Sequence, residues 1–213
     1  MPSALIVRRI FKPILFIGCL LPLAWLAAGT LGLANISLGA DPVARVLHQL
    51  GQWSLRFVLI TLCITPLRVL FNWPWLVLLR RMLGLFAFTY VVLHFLTWLI
   101  LDQGFLLDPG FSWHSIIKDI TKRPYITIGF TALLLLIPLA VTSTNGMMRR
   151  LGKRWQTLHK LVYVIAVLGV WHYYWEVKKD ITEPLIYAAI VFLLLGWRYW
   201  RYRKRQEVRL TSS

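Results

Sequence analysis

The chain has 213 residues, 58% of them hydrophobic, and a mean hydropathy of +0.65; ordinary globular chains are about 45–50% apolar. A single soluble domain of this length cannot bury so much apolar surface, which excludes that class. The net charge of +16 is dispersed in short basic clusters between apolar blocks, which argues against a nucleic-acid-binding face and for orientation in a bilayer.

The apolar blocks are long enough, at roughly 20 residues, to cross the hydrocarbon core as helices. They do not alternate as barrel strands would. The expected fold is therefore all-α: an integral membrane bundle of six transmembrane helices in one domain over residues 1–213. The spans are expected at about 14–34, 53–70, 78–101, 125–143, 155–175 and 184–200. Arg8, Arg9 and Lys12 precede the first run, which is too long for a signal-peptide core and so predicts an uncleaved helix. A loop around Asn35 to Pro42 follows, then a second span interrupted by Arg56 and an interfacial turn at Asn72 to Trp75. The third span leads into a longer loop, Asp102 to Arg123, with a short surface helix expected over 113–120. Thr144, Asn145 and Gly146 end the fourth span. Cys19 and Cys63 lie inside apolar blocks without a CxxC spacing and read as apolar filler. No internal repeat is evident in the sequence.

Lysine and arginine counts set the orientation. With six spans, one side receives sixteen, including Arg80, Arg81, the Arg149 to Arg154 cluster and the C-terminal tail. The other receives seven, among them Arg45, Arg123, Lys178 and Lys179, and seven of the eight acids. The first side is expected to be cytoplasmic, with both termini on it. Tryptophan and tyrosine gather at span ends, as in an interfacial belt.

Ionisable side chains in hydrocarbon point to function by default. His94 lies deep in the third span, His159 near the start of the fifth and His172 near its outer end. Neutral imidazole is an axial ligand for haem iron. His94 and His172 each lie about 27 Å along outward-running spans at ~1.5 Å per residue, so they can face each other near the outer leaflet. His159 lies about 20 Å from His172 along the helix and about 140° round it. A second haem at His159 would therefore require an irregularity, such as at Gly169, or a differently oriented haem. The inner end of the third span offers Arg80 and Arg81 where a partner histidine would stand. From the residues alone, haem ligation and helix–helix hydrogen bonding both stay open. His48 and His114 read as surface loop residues. Arg56 reads as a side chain snorkelling to the interface or as a partner for a haem propionate. The Arg149 to Arg154 loop reads equally as a docking or phosphate-binding surface and as a topology signal. A haem-free transporter using histidine relays is disfavoured because the spans hold almost no Asp or Glu. No GxGxxG is present, and no nicotinamide or flavin domain is expected in these residues.

Five stretches carry a resemblance: Leu38 to Val43 (LGADPV), Ile64 to Leu67 (ITPL), Arg80 to Leu85 (RRMLGL), Thr121 to Gly129 (TKRPYITIG) and Leu151 to His159 (LGKRWQTLH). The chain resembles the MsrQ (YedZ) family along nearly its whole length. That family is part of the ferric-reductase-like transmembrane group, which also includes NADPH oxidases. The resemblance implies haem b, FMN at an unassigned site, and the bacterial inner membrane. It implies an electron-transfer subunit, not the catalytic one, serving a periplasmic molybdopterin methionine sulfoxide reductase, MsrP. The quinone pool or a cytoplasmic flavin reductase would be the donor, and periplasmic proteins with oxidised methionine the repaired substrates. His94, His159 and His172 match the family's membrane histidines. His94 and His172 are expected as axial ligands and His159 as the candidate for a second haem, since one histidine of the wider group's usual four is absent. A stand-alone transmembrane ferric or metal reductase is the alternative of the same fold.

Overall fold

An apolar run in hydrocarbon must close its backbone hydrogen bonds within itself, and the computed structural model is helical accordingly. It describes residues 2–177 and 180–211, with no strand among them; Lys178 and Lys179, counted above on the outer side, lie outside the described residues. In chain order the helices are α1, Ala4–Thr30, with a wider π-type turn at Val7–Phe11; α2, Pro42–Leu70; α3, Pro74–Asp102; and α4, Trp113–Lys122. Then come α5, Pro124–Val141; α6, Asn145–Leu151; α7, Lys153–Leu158; α8, Leu161–Glu176; and α9, Thr182–Thr211.

Four of these, α1, α2, α3 and α5, are long and apolar enough to cross a membrane. The expected fifth and sixth spans are each altered for a physical reason. A turn at His159–Lys160 detaches α7 from α8, so α8 has 16 residues and rises about 24 Å. The helix α9 is long, but its apolar part is confined between Glu183 and Arg198, and a basic tail continues it.

The second span begins earlier than its apolar run. The Asp41 side chain accepts from the Ala44 amide at 3.0 Å and Pro42 occupies the first turn, a cap and a pre-set φ that start a helix regardless of hydropathy. The short surface helix runs from Trp113 to Lys122, capped by Ser112, with Ile116 buried beneath it. The expected Arg149 to Arg154 loop is instead two short helices hinged at Gly152, whose φ of +50° favours a residue without Cβ.

Helix α2 packs along α3, and α5 along α8. The two pairs close on each other through α3–α5 and α2–α8 contacts, and α9 leans on α8 and α2. The core between them is aromatic and aliphatic. Tyr90 is fully buried beside Phe57, with ring centroids 5.0 Å apart, and its hydroxyl donates to the Cys19 carbonyl at 2.7 Å. That bond and the Phe16–Phe86 edge contact at 5.2 Å attach α1 to α3. Ile14, Ile17 and Leu21 of α1 face outward, as suits a lipid-facing helix.

Candidate functional site

The two helix pairs present two imidazoles to one cavity. His94, on α3, bonds through Nδ1 to the Leu47 carbonyl of α2 at 2.9 Å. His172, on α8, bonds through Nδ1 to the Tyr125 carbonyl of α5 at 2.7 Å. A carbonyl only accepts, so each Nδ1 carries the proton and each Nε2 is left with its lone pair. This is the outer support that fixes tautomer and ring orientation for a metal-ligating histidine. The ring centroids are 6.1 Å apart and the planes are inclined by 81°.

Glycines make room for both rings. A Cβ at Gly51 would lie 3.1 Å from His94 Cε1, and one at Gly129 would lie 2.7 Å from His172 Nδ1. The arrangement repeats. An offset of 78 residues (172 − 94, 129 − 51 and 125 − 47) relates the histidines, the glycines and the accepting carbonyls. The two histidine supports are thus built alike, a likeness not evident in the sequence because three positions in each half do not stand out among aliphatic residues. It does not extend to His159, for which the same offset gives Arg81.

The cavity, of about 270 Å³, has apolar walls that include Leu55, Val58, Val91, Leu133 and Ile165. Its rim is polar: His48, Gln52, Asp102, Arg123, Tyr173 and Glu176. An apolar pocket with a few convergent polar groups is the usual form of a cofactor site. Among the described residues, no cluster of three His, Cys, Asp or Glu exists to hold a bare metal ion. Two imidazoles on opposite sides of one metal, with bonds of about 2 Å, would set their centroids about 6 Å apart. The His94–His172 spacing matches that, so the residues fit a planar macrocycle that supplies the remaining ligands.

The other predicted residues are placed elsewhere. His159 lies at the turn between α7 and α8, stacked on Trp155 with centroids 3.9 Å apart. Its Nε2 is 3.2 Å from Thr142 Oγ1, and Trp155 Nε1 donates to the Thr142 carbonyl at 3.0 Å. The irregularity that separates His159 from His172 is this turn; Gly169 sits inside unbroken α8. Arg56 turns away from the cavity, its Nε donating to Tyr187 at 2.9 Å and its guanidinium 4.8 Å from the Trp53 ring. His48 is not in a loop: it lies on α2 at the cavity rim, 3.6 Å from Glu176. His114 is exposed on α4.

The family described as ferric reductase like transmembrane component matches this chain over residues 50–170, a stretch that holds His94 and ends just before His172. More narrowly, the chain belongs to the MsrQ family. It is 50% identical over 202 residues to the protein-methionine-sulfoxide reductase heme-binding subunit MsrQ of Herminiimonas arsenicoxydans, covering 93% of this chain and 88% of that protein. Over 191 residues it is 52% identical to the subunit of the same name from Rhodospirillum rubrum, covering 89% and 88%. With that of Xanthomonas campestris pv. campestris it shares 53% over 178 residues, covering 83% and 77%.

Proposed function

We propose that the chain is the haem-binding electron-transfer subunit of a methionine sulfoxide reductase, holding haem b between His94 and His172. The observation that carries this is the imidazole pair, each Nδ1 tied to a carbonyl and the centroids 6.1 Å apart in an apolar cavity. Haem, when bound, supplies one-electron chemistry at its iron. The chain's part is to fix both ring orientations and to keep water from the apolar walls. His159 is the residue proposed for a second haem; its present partners are Thr142 and Trp155.

In this reading residues 1–213 form one domain of six crossings in a bacterial inner membrane, with both termini cytoplasmic. The sixteen-to-seven partition of lysine and arginine supports it. Helices α8 and α9 supply the fifth and sixth crossings. The cavity mouth then faces the periplasm, where MsrP, a molybdopterin enzyme, receives the electrons. The donor is the quinone pool or a cytoplasmic flavin reductase, and FMN is the second cofactor. The names of the relatives, heme-binding subunits of a protein-methionine-sulfoxide reductase, support haem and the reductase.

The test is the oxidised and dithionite-reduced absorbance spectrum of the purified protein, with haem quantified. A b-type signal should be present in the wild type and abolished in His94→Ala and His172→Ala. His159→Ala should keep the signal of the outer pair and lower haem content only if a second haem is bound. A colourless wild type after haem-replete expression would sink the reading.

A further inference from the structure

Haem carries two carboxylates on one edge, and an arginine at the mouth of the cavity is well suited to bind one of them. This inference rests on the haem reading above. Among the described residues lining the cavity, Arg123 is the only permanent cation. It stands at the rim immediately before Pro124, which opens α5. Two residues on, the Tyr125 carbonyl holds His172. One short segment, Arg123 to Tyr125, therefore fixes an imidazole and sets a guanidinium at the mouth beside it.

The guanidinium is only loosely engaged. Its Nε lies 3.4 Å from Asp119 Oδ1 and its Nη1 donates to the Tyr125 hydroxyl at 3.4 Å. Both contacts are long for charge-assisted bonds, which run at about 2.7–2.9 Å. Nη2 makes no hydrogen bond with the described residues. Two acids share the rim, and each has a partner: Glu176 is 3.6 Å from His48, and Asp102 accepts from Gln103 Nε2 at 3.0 Å. Arg56 is turned to Tyr187 and Trp53 on another face.

We propose that Arg123 is the carboxylate anchor of the cavity, binding a propionate of the haem and seating its charged edge toward the outer mouth. Asp119 is the intramolecular competitor that holds the guanidinium when the carboxylate is absent. The planar five-donor fork of arginine suits a carboxylate, and a bidentate contact forms when Nη2 joins Nη1 or Nε.

The experiment is equilibrium titration of the haem-depleted full chain in detergent, followed by absorbance, with haem and with haem dimethyl ester, whose carboxylates are blocked. The wild type should bind haem about three- to tenfold more tightly than the ester, and Arg123→Gln should bind the two alike. Arg123→Lys should recover part of the preference, and Asp119→Asn should keep or widen it. In every variant the bis-histidine spectrum of the bound form should be unchanged, which shows that the fold and the axial pair are intact. If the wild type binds haem but Arg123→Gln keeps the full preference over the ester, the anchor lies elsewhere and the inference is wrong. If the wild type binds neither, the haem reading fails first.

Discussion

The two imidazoles owe their positions to residues that carry no reactive group. A methyl group at Gly129 would lie 2.7 Å from His172 Nδ1, and His172 cannot retreat without breaking its 2.7 Å bond to the Tyr125 carbonyl. At Gly51 the same group would meet His94 at 3.1 Å, a gap that a shift of a few tenths of an ångström relieves. Gly129→Ala should therefore lower haem content several-fold, and Gly51→Ala should do so less. Haem per chain, measured on equal amounts of folded protein, checks the order; equal retention in both would show that the rings are held by something other than these gaps. The histidines were legible in the sequence because a polar ring in an apolar run is conspicuous and its depth can be counted. The glycines and carbonyls were not. A glycine among leucines has no chemistry of its own, and any residue offers a carbonyl, so their role exists only once α2 meets α3 and α5 meets α8.

Helix boundaries followed hydropathy wherever hydropathy decided them. The fourth span was expected at 125–143 and runs from Pro124 to Val141, a difference within ordinary helix-end ambiguity. Capping chemistry decided the second instead: Asp41 and Pro42 start α2 well before its apolar run. That polar extension carries Leu47 and Gly51, so the part of the helix that hydropathy discards is the part that supports His94. The turn at His159–Lys160 was hidden for the opposite reason, since the local sequence has helix-forming residues and the break is stabilised by tertiary bonds from Trp155 and His159 to Thr142. Of the four candidate spans, α1 is the least buried, and its hydrogen bond to α3 runs from the Tyr90 hydroxyl. Tyr90→Phe deletes the hydroxyl that donates to the Cys19 carbonyl. Interhelical hydrogen bonds of this kind contribute about 0.6 kcal/mol on average in membrane proteins. The variant should unfold slightly earlier in a detergent or denaturant titration, by about 0.5–1.5 kcal/mol, while its haem spectrum is unchanged. Unaltered unfolding would mean that α1 is held by its aromatic contacts alone.

At the scale of the whole molecule, the proposed path to MsrP depends on which side of the membrane the cavity mouth faces. Four helices satisfy length and hydropathy by themselves; the proposed count of six requires α8 and α9 to cross as well. Helix α8 rises about 24 Å, against a hydrocarbon core of about 30 Å. Local thinning and interfacial anchors accommodate a mismatch of that size, and Trp171 and Trp175 lie exposed near its outer end. Helix α9 has Arg198 at its inner part, where the guanidinium donates to the Leu62 carbonyl at 2.5 Å and to Leu194 at 3.0 Å. Such a charge is tolerated at the membrane edge because it is bonded to backbone there. In the proposed topology an even count leaves both termini on one side, and the basic tail is the reason for assigning that side to the cytoplasm. A fluorescent protein fused to the C-terminus should therefore fluoresce, and alkaline phosphatase fused there should be inactive. The same phosphatase inserted in the loop between α3 and α4, beside the cavity mouth, should be active. Phosphatase activity at the C-terminus would place that end in the periplasm and overturn the proposed topology, through either its count or its orientation. An inactive insertion at the loop would put the cavity mouth on the cytoplasmic side and reverse the proposed path to MsrP, even with the histidine pair intact.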